Sequence, residues 1–420
     1  MTFPGNRRWV VTGAFSDVGG AVMKNIKVGC GAASVLAESC VSVAVDAAMR
    51  DLDGAQPVAA MIYAPYEGVA HRELVDQVRK LSGVDCIVGG TTFGEITAGQ
   101  PVDDHVVVTL VGGKGIVAGV GVGRGLARDP RGIAHSAVGA AISALGDEDP
   151  ALLVLFYDPM LADMSAMLAG VHDHVGPDFP VVGHGTGTGV MAETRPVSIQ
   201  YGPDGPLGGS MVVLALGGAM HATTVSLTGY RTMGEIHEVT KMDGTMVLEL
   251  DGRPATVVYD EDQEGGGGFS REAMAGEGAI HYALLRHPRG RHEAPALLAI
   301  YGTDEETQAL VLAVHLSQGS HVQVVAMDVD TLTSGAADRL QIAEDRLGSP
   351  IRAVICADCY GWKLLLQSRL GEELSEIRGR YQTVPIVGMY SGGEIGNLAQ
   401  LHADPNHGFA NYVMSVALLG

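Results

Sequence analysis

One feature restricts this chain more than any other. It writes a strand–helix–strand unit three times, and each time closes the second strand on Val-Gly. The first copy is "PVAAMIYAP" (57–65), then "RELVDQVRKL" (72–81), then "VDCIVGG" (84–90). Leu74, Val75, Val78 and Leu81 share one face of the middle segment, which predicts a helix. The second copy is "ALLVLFYDP" (151–159), "MSAMLAGVHDHV" (164–175) and "FPVVGHG" (179–185). The third is "IRAVICADC" (351–359), "KLLLQSRLGEELSEIRG" (363–379) and "VPIVGMY" (384–390). Apolar strands joined by a helix pair in parallel through a right-handed crossover.

Three further stretches alternate, turn at glycine and alternate again: 106–122, 211–227 and 310–328. Each is predicted to be a β-hairpin. The expected fold class is therefore α/β, built from duplicated mixed units with strand–helix–strand crossovers and β-hairpins. The chain has 420 residues, 46% of them hydrophobic but only 5% aromatic, so more than one core packed from Val, Ala, Leu and Ile is expected.

Charge narrows the partners. The formal net charge is −21, against the clustered Lys and Arg that nucleic acids and anionic membranes demand. The one dense basic run, "RHPRGRH" (286–292), reads as a solvated loop. No apolar run is long enough to span a bilayer, and the first twenty residues lack the apolar core of a secretory leader. Five cysteines are too few for a disulfide scaffold. A cytoplasmic protein with no nucleic-acid or membrane partner is expected.

Two stretches imitate known sites. "VTGAFSDVGG" (11–20) echoes a dinucleotide-binding turn, but Asp17 stands where the pyrophosphate needs glycine. "DEDQEGGGGFSRE" (260–272) opens like a calcium loop, but Arg271 replaces the bidentate Glu, and the preceding "ATVVYD" reads as strand. A flexible acidic loop is expected there.

The turns after the repeats carry the candidate chemistry. "VGGTTFGEI" (88–96) and "VGMYSGGEI" (387–395) both place Glu three residues after Thr or Ser, the spelling of a helix capping box. No helical stripe follows either Glu95 or Glu394. The middle copy, "VGHGTGTGV" (182–190), keeps Gly183 and Thr186 in step and sets Gly189 where the glutamates stand. The turn can thus be built without the acid, which favours a functional pair facing one pocket. Glycine on either side lets backbone approach a small molecule, and a carboxylate held there suits an amine or amide donor or a proton transfer.

In "ICADCYGW" (355–362), Cys356 and Cys359 sit between strand and helix, where a helix N-terminus can lower a thiol's pKa. A lone Cys-x-x-Cys is weak evidence for a metal, and the bland reading is small buried thiols. None of the fifteen histidines pairs with another at metal-ligand spacing on a helix. His184, in the middle turn, is the best placed, and its bland reading is a polar loop residue.

These stretches together resemble the FIST proteins, a bacterial sensory family with an N-terminal and a C-terminal part. "IKVGCGAAS" (26–34), "VGGTTFGEI" and "PVVGHGTGTG" are similar to the N-terminal part. "EVTKMDGTMVLELDGRPATVVYDE" (238–261), "ADCYGWKLLL", "VPIVGMYSGGEIG" and "GFANYVMSVALLG" (408–420) are similar to the rest. The resemblance implies an N-terminal extension over 1–25 and two FIST-type domains over 26–232 and 233–420. It implies a bound small molecule, with amino acids as the proposed ligands, and one branch admits haem. The residues themselves call for no cofactor and no metal. Carried over by position, the ligand-binding candidates are Thr92, Gly94, Glu95, Cys359, Ser391, Gly393, Glu394 and Asn411, with His184 added from the middle turn. Two departures, Trp362 for the usual Arg and Ala410 for the usual His, imply a less anionic or more apolar ligand.

Two functions follow. The first is a sensor that binds an amino-acid-like metabolite between its halves and signals to a separate partner or through self-association, because the resemblance leaves no output segment. The second is a stand-alone enzyme, a lyase, isomerase or hydrolase acting on a small organic acid or amide. In it Glu95 and Glu394 serve as general acid and base and Cys359 as nucleophile.

Overall fold

The repeats become three sheets of one plan. A computed structural model of the protein describes residues 26–160, 163–188, 197–263, 280–288, 295–312, 316–334, 336–397 and 407–420. The first copy runs β1 (Lys27–Ser34), α1 (Cys40–Asp51), β2 (Pro57–Ala64), α2 (His71–Ser82) and β3 (Ile87–Thr91). A short pair, β4 (Glu95–Thr97) and β5 (Gln100–Val102), and then β6 (His105–Gly112) complete it. The second runs β7 (Ile116–Arg124), α3 (Pro130–Ser143), β8 (Pro150–Tyr157), α4 (Met164–Val175) and β9 (Val181–Gly185). Its short pair is β10 (Gln200–Gly202) and β11 (Gly205–Leu207), followed by β12 (Ser210–Gly218).

The third copy opens with β13 (Ala222–Leu227) and is then interrupted. The insert holds β14 (Tyr230–Asp243), β15 (Met246–Leu250), β16 (Arg253–Pro254), α5 (Ala255–Asp262), β17 (Tyr282–His287), β18 (Ala296–Asp304), β19 (Ala309–Leu312) and β20 (His321–Met327). The copy resumes with α6 (Val329–Ser334), α7 (Ala336–Leu347), β21 (Ala353–Cys359), α8 (Tyr360–Leu366), α9 (Glu372–Arg380) and β22 (Ile386–Ser391). Its short pair is β23 (Glu394–Asn397) and β24 (His407–Ala410), and β25 (Met414–Leu419) ends it.

The sheets share one strand order: β1-β6-β2-β3, β7-β12-β8-β9 and β13-β25-β21-β22. In each, the crossover supplies a parallel pair, β2–β3, β8–β9 and β21–β22. The short pairs do not stay at home. β4–β5 docks on β22 of the third sheet, β23–β24 on β9 of the second, and β10–β11 on β3 of the first. The three copies thereby close into a ring. The expected division at 232/233 falls within β14, and β13, which precedes it, pairs with β25.

The sheets face one another across a common core. Met61, Tyr63 and Val88 come from the first, Val154, Phe156 and Val182 from the second, and Ile355, Ala357 and Val387 from the third. Helices cover the outer faces, with α1 and α2 on the first sheet and α3 and α4 on the second. Strands buried on both faces read as continuous apolar runs, as these do. The repeated Val-Gly also has a cause. A Cβ on Gly89 would sit 2.0 Å from the Ile62 carbonyl oxygen, and one on Gly388 would sit 1.8 Å from that of Cys356. Glycine is what lets the parallel neighbour lie so close.

In the insert, β14 pairs with both β20 and β15, so its sheet closes on itself and leaves no long edge. Val247, Leu284, Leu298 and Val324 fill its interior, together with Val258 and Tyr259 of α5. Leu285, Leu297 and Val325 turn outward and pack against the third copy.

Several expectations need correction. None of the three expected hairpins is one. β6 lies between β1 and β2 while β7 pairs with β12, so the glycine turn hands the chain from one sheet to the next. β12 and β13, and likewise β19 and β20, also have different neighbours. Alternation and a glycine turn announce a change of direction and do not say which strand receives it. "ATVVYD" is helical, because Ala255, Val258 and Tyr259 bury one helical face in the insert. The helix expected over 363–379 breaks between α8 and α9, where Gln367 and Gly371 have positive φ of 45° and 95°. Arg286 and His287 belong to β17, while the basic run from 289 to 292 lies outside the described residues. So do the turn at 11–20 and most of the acidic stretch at 260–272. Among the described residues, no helix is long and apolar enough to cross a membrane.

Candidate functional site

Strand register shows which residues the three copies hold in common. Gly90, His184 and Met389 each follow the Val-Gly glycine. Their cross-strand partners are Gln200, Glu394 and Glu95. Gln200 is therefore the middle copy's counterpart of the two glutamates, and Gly189, expected there, lies outside the described residues. A longer loop separates the strand from its short pair in that copy, and it defeats alignment by counting from the glycine.

All three side chains make the same local bracket. Thr92 Oγ1 donates to Glu95 Oε1, Ser391 Oγ donates to Glu394 Oε1 at 2.6 Å, and Gln200 Nε2 donates to Thr186 Oγ1 at 2.7 Å. The spelling of a helix cap here starts a short strand. A main-chain amide completes two of the brackets: His105 N–H to Glu95 Oε2 and Ser210 N–H to Gln200 Oε1, both 3.1 Å. The third differs. Gly393 N–H also donates to Oε1 of Glu394, at 3.1 Å, and Oε2 makes no hydrogen bond among the described residues. The Val413 amide favours the charged form without meeting hydrogen-bond geometry.

The turns meet in one hub. Phe93 N–H donates to the Tyr390 carbonyl and Tyr390 N–H to that of Gly94, at 3.0 and 2.8 Å. Gly185 N–H donates to Gly393 O and Gly392 N–H to Gly185 O, at 3.0 and 2.9 Å. Gly187 N–H closes the circuit on Thr91 O at 3.0 Å. The Phe93 ring lies on Gly187 and Gly392, where a Cβ would come within 2.4 and 3.1 Å of it, and stacks on Tyr360 at 4.7 Å. Gly94 and Gly393, with φ of 134° and 143°, turn the chain into β4 and β23.

Ser391, Gly393, Glu394, Cys359 and Asn411 gather at the third turn. The Cys359 thiol and the Ser391 hydroxyl face Glu394, and Tyr412 N–H donates to Cys359 Sγ at 3.1 Å. Tyr157 OH donates to Gly393 O at 2.9 Å. Asn411 ties the insert to the hub: its Oδ1 accepts from Ala299 N–H at 3.0 Å and its N–H donates to Leu297 O at 2.8 Å. The carbonyl oxygen of this candidate is thus occupied by structure. Thr92, Gly94 and Glu95 form a separate cluster one turn away. There Lys363 Nζ donates to Phe93 O at 2.9 Å and pairs with Asp103. Each glutamate is held in a bracket of its own, and the two brackets are joined through main chain.

Electrostatics separates the two acids further. Burial pushes Glu394 well above the usual carboxylate range, against the pull of Ser391, Cys359 and Gly393. Asp358, at the end of β21, is raised first by burial and then by Glu373 and Glu394, and its Oδ2 has no hydrogen-bond partner among the described residues. Cys359 is raised by burial and then by Glu394, so it stays a thiol. A helix N-terminus can lower a thiol's pKa, but α8 is only seven residues long and a buried acid lies beside Cys359. Glu95 rises to about 7, chiefly through burial, with Thr92 and the His105 amide opposing.

His184 pairs with Glu394 through the strands, but its side chain hydrogen-bonds to none of these groups. It is a strand residue, fully buried and stacked on Phe156 at 4.7 Å, and burial lowers its pKa to about 4. His184, enclosed by Phe156 and Tyr63, is not placed to hold haem. Among the described residues no group of three His, Cys, Asp or Glu side chains is placed to hold a metal ion. Sequence reasoning missed Asp358, Gln200 and the Lys363–Asp103 pair. Only Asp358 left a signal, as an acid inside an apolar strand.

The Glu95 shift has a measurable consequence. Its folded-state pKa is raised from 4.5 to about 7, so its contribution to stability is complete below about pH 4.5 and is lost as pH rises through about 7. The loss amounts to about 3 kcal/mol. Urea unfolding of wild type and Glu95→Gln across that window is expected to show the variant gaining on wild type as pH rises. A difference that does not change with pH would contradict the shift.

Comparison with known proteins adds the following. Residues 59–253 match the FIST N domain and residues 255–397 the FIST C domain. Two uncharacterized proteins of Mycobacterium tuberculosis, from strains CDC 1551 / Oshkosh and ATCC 25618 / H37Rv, are each 27% identical over 206 residues, covering 47% of this chain and 51% of theirs. The chain thus spans about half the length of the curated relatives it matches. A crystal structure of cyanuric acid hydrolase from A. caulinodans aligns over 94% of this chain and 99% of its own, with a TM-score of 0.38 and 9% identity. At that level the likeness carries no argument.

Proposed function

The chain belongs to the FIST family, with both its N and its C domain, and from that footing we propose that it is a sensor binding a small amine-bearing metabolite at the third turn of the hub. One observation carries this reading. Glu394 is wholly buried, and among the described residues neither its Oε2 nor Oδ2 of neighbouring Asp358 has a hydrogen-bond partner. A buried acid left half-satisfied is costly unless something else meets it. A ligand ammonium would donate to both oxygens and draw Glu394 into its charged form.

The walls support a cation over an anion. Trp362 replaces the family's usual Arg, is fully buried, and meets Tyr412 edge-on at 6.3 Å, so no guanidinium waits there for a carboxylate. The charges of Glu394 and Cys359 act on the phenols of both Tyr157 and Tyr301, so two aromatic side chains lie near the acid. Tyr301 comes from the insert, so ligand contact there would couple insert to hub and bias their arrangement. The signal would then pass to a separate partner or through self-association, in the cytoplasm.

A second, catalytic reading rests on Glu95. A carboxyl titrating at about 7 suits general acid–base work at neutral pH. The raised thiol of Cys359 does not support nucleophilic attack.

Thermal unfolding against a panel of primary amines and matched alcohols tests the sensor reading. Ligand at a hundred times its Kd stabilises by about 2.7 kcal/mol. In a chain this size that is a shift of a few degrees. Wild type is expected to respond to amines alone and Glu394→Gln to respond to neither. Equal responses from both proteins would sink the proposal.

A further inference from the structure

A groove of about 610 Å³ runs between the first and third copies, away from the hub. Its floor includes Val28, Cys30, Thr97 and Ile386, and neither Glu95 nor Glu394 lines it. Two cations stand on it, Lys27 from β1 and Arg352 from the approach to β21. The chain as a whole has 48 acidic residues against 27 Lys and Arg, whereas the groove lining sets two cations against one carboxylate, with Asp53 beside Lys27 at its rim. That carboxylate, Asp51, accepts from Cys30 N–H at 3.4 Å.

The cations differ in readiness. Lys27 Nζ lies 3.4 Å from Asp53, an exposed pair that costs little to redirect. Arg352 has its main chain pinned, N–H to Leu419 O at 2.7 Å, while its guanidinium makes no hydrogen bond or ion pair among the described residues. A planar guanidinium with no partner of its own is open to pair with a carboxylate or phosphate. Thr383 and Gln382 add polar groups opposite, and the Cys30 thiol lies 3.5 Å from the Thr97 hydroxyl. The volume falls within the range of small-molecule sites.

We infer that this groove binds a small organic anion, through Arg352 and Lys27, independently of the hub. Calorimetric titration of the full chain at low salt with succinate and with inorganic phosphate tests it. At least one probe is expected to bind, and the probe that does identifies the headgroup as carboxylate or phosphate. The double variant Lys27→Gln, Arg352→Gln is expected to lose affinity by about ten-fold or more. Both side chains lie at the surface, and an unchanged melting temperature of the variant would show its fold intact. Glu394→Gln should bind the same probe as wild type does. Binding of neither probe, or equal binding by the double variant, would overturn the inference.

Discussion

A chain cut after residue 254, between the two matched domains, is expected to fold in neither half. The reason lies in the exchanged pairs. Residues 26–254 alone leave β4–β5 without β22, deprive β9 of β23, and strip β13 of β25. The common core also loses Ile355, Ala357, Val387, Met389 and Leu419, each fully buried in the intact chain. Burying one such larger side chain contributes about 1.5–3 kcal/mol, and a whole domain has only about 5–15 kcal/mol to lose. Circular dichroism and urea unfolding of 26–254 should show no cooperative transition. Co-expression with 255–420 should restore one. A cooperative transition in 26–254 alone would mean that the ring of exchanged strands is not what holds the copies together.

Gly388→Ala is expected to be nearly as damaging. The added Cβ would sit 1.8 Å from the Cys356 carbonyl oxygen and 2.7 Å from its carbon. These are backbone atoms of the adjacent parallel strand, so no flexible side chain can swing away. Either β21 and β22 separate, which opens the base of the third turn, or the variant fails to fold. A loss above about 4 kcal/mol is expected, the size reserved for disrupted cores. Gly89→Ala should behave alike, with its Cβ 2.0 Å from Ile62 O. Gly244→Ala supplies the control. Its φ of 58° is also left-handed, but nothing lies within 4 Å, so about 1 kcal/mol is expected. Equal costs at Gly388 and Gly244 would reduce the repeated Val-Gly to a conformational preference.

The local parts of this fold were readable in the sequence. The helix expected over 164–175 is α4 to the residue, because Asp163 caps it and Gly176 ends it. The strands of each crossover were readable for a similar reason, since long apolar runs end in glycine. Partnership was not readable. β6 and β7 look like hairpin arms because alternation is a property of each strand, whereas the choice of sheet depends on residues far along the chain. The same limit applies at the site. Glu95 and Glu394 stood out through their shared spelling, but Gln200 has other neighbours in sequence and is matched to them only by strand pairing. His184 looked like a turn residue because glycines flank it, yet it lies in a strand facing the common core. Cys359 is the small buried thiol of its bland reading, while the buried Glu394 that helps to keep it protonated is not visible in sequence.

Asn411 has a structural role that its sequence neighbours do not announce. It reaches the third turn, and it also fastens β18 to the hub through Ala299. A ligand at Glu394 would therefore lie against the fastening between insert and hub, a natural place for binding to change their relation.

Native mass spectrometry of wild type and Glu394→Gln, each exposed to the same metabolite extract, tests the central claim most directly. Wild type is expected to retain an amine-bearing adduct that the folded variant lacks. The same adducts on both proteins, or none on either, would contradict the assignment of Glu394 as the ligand-binding acid.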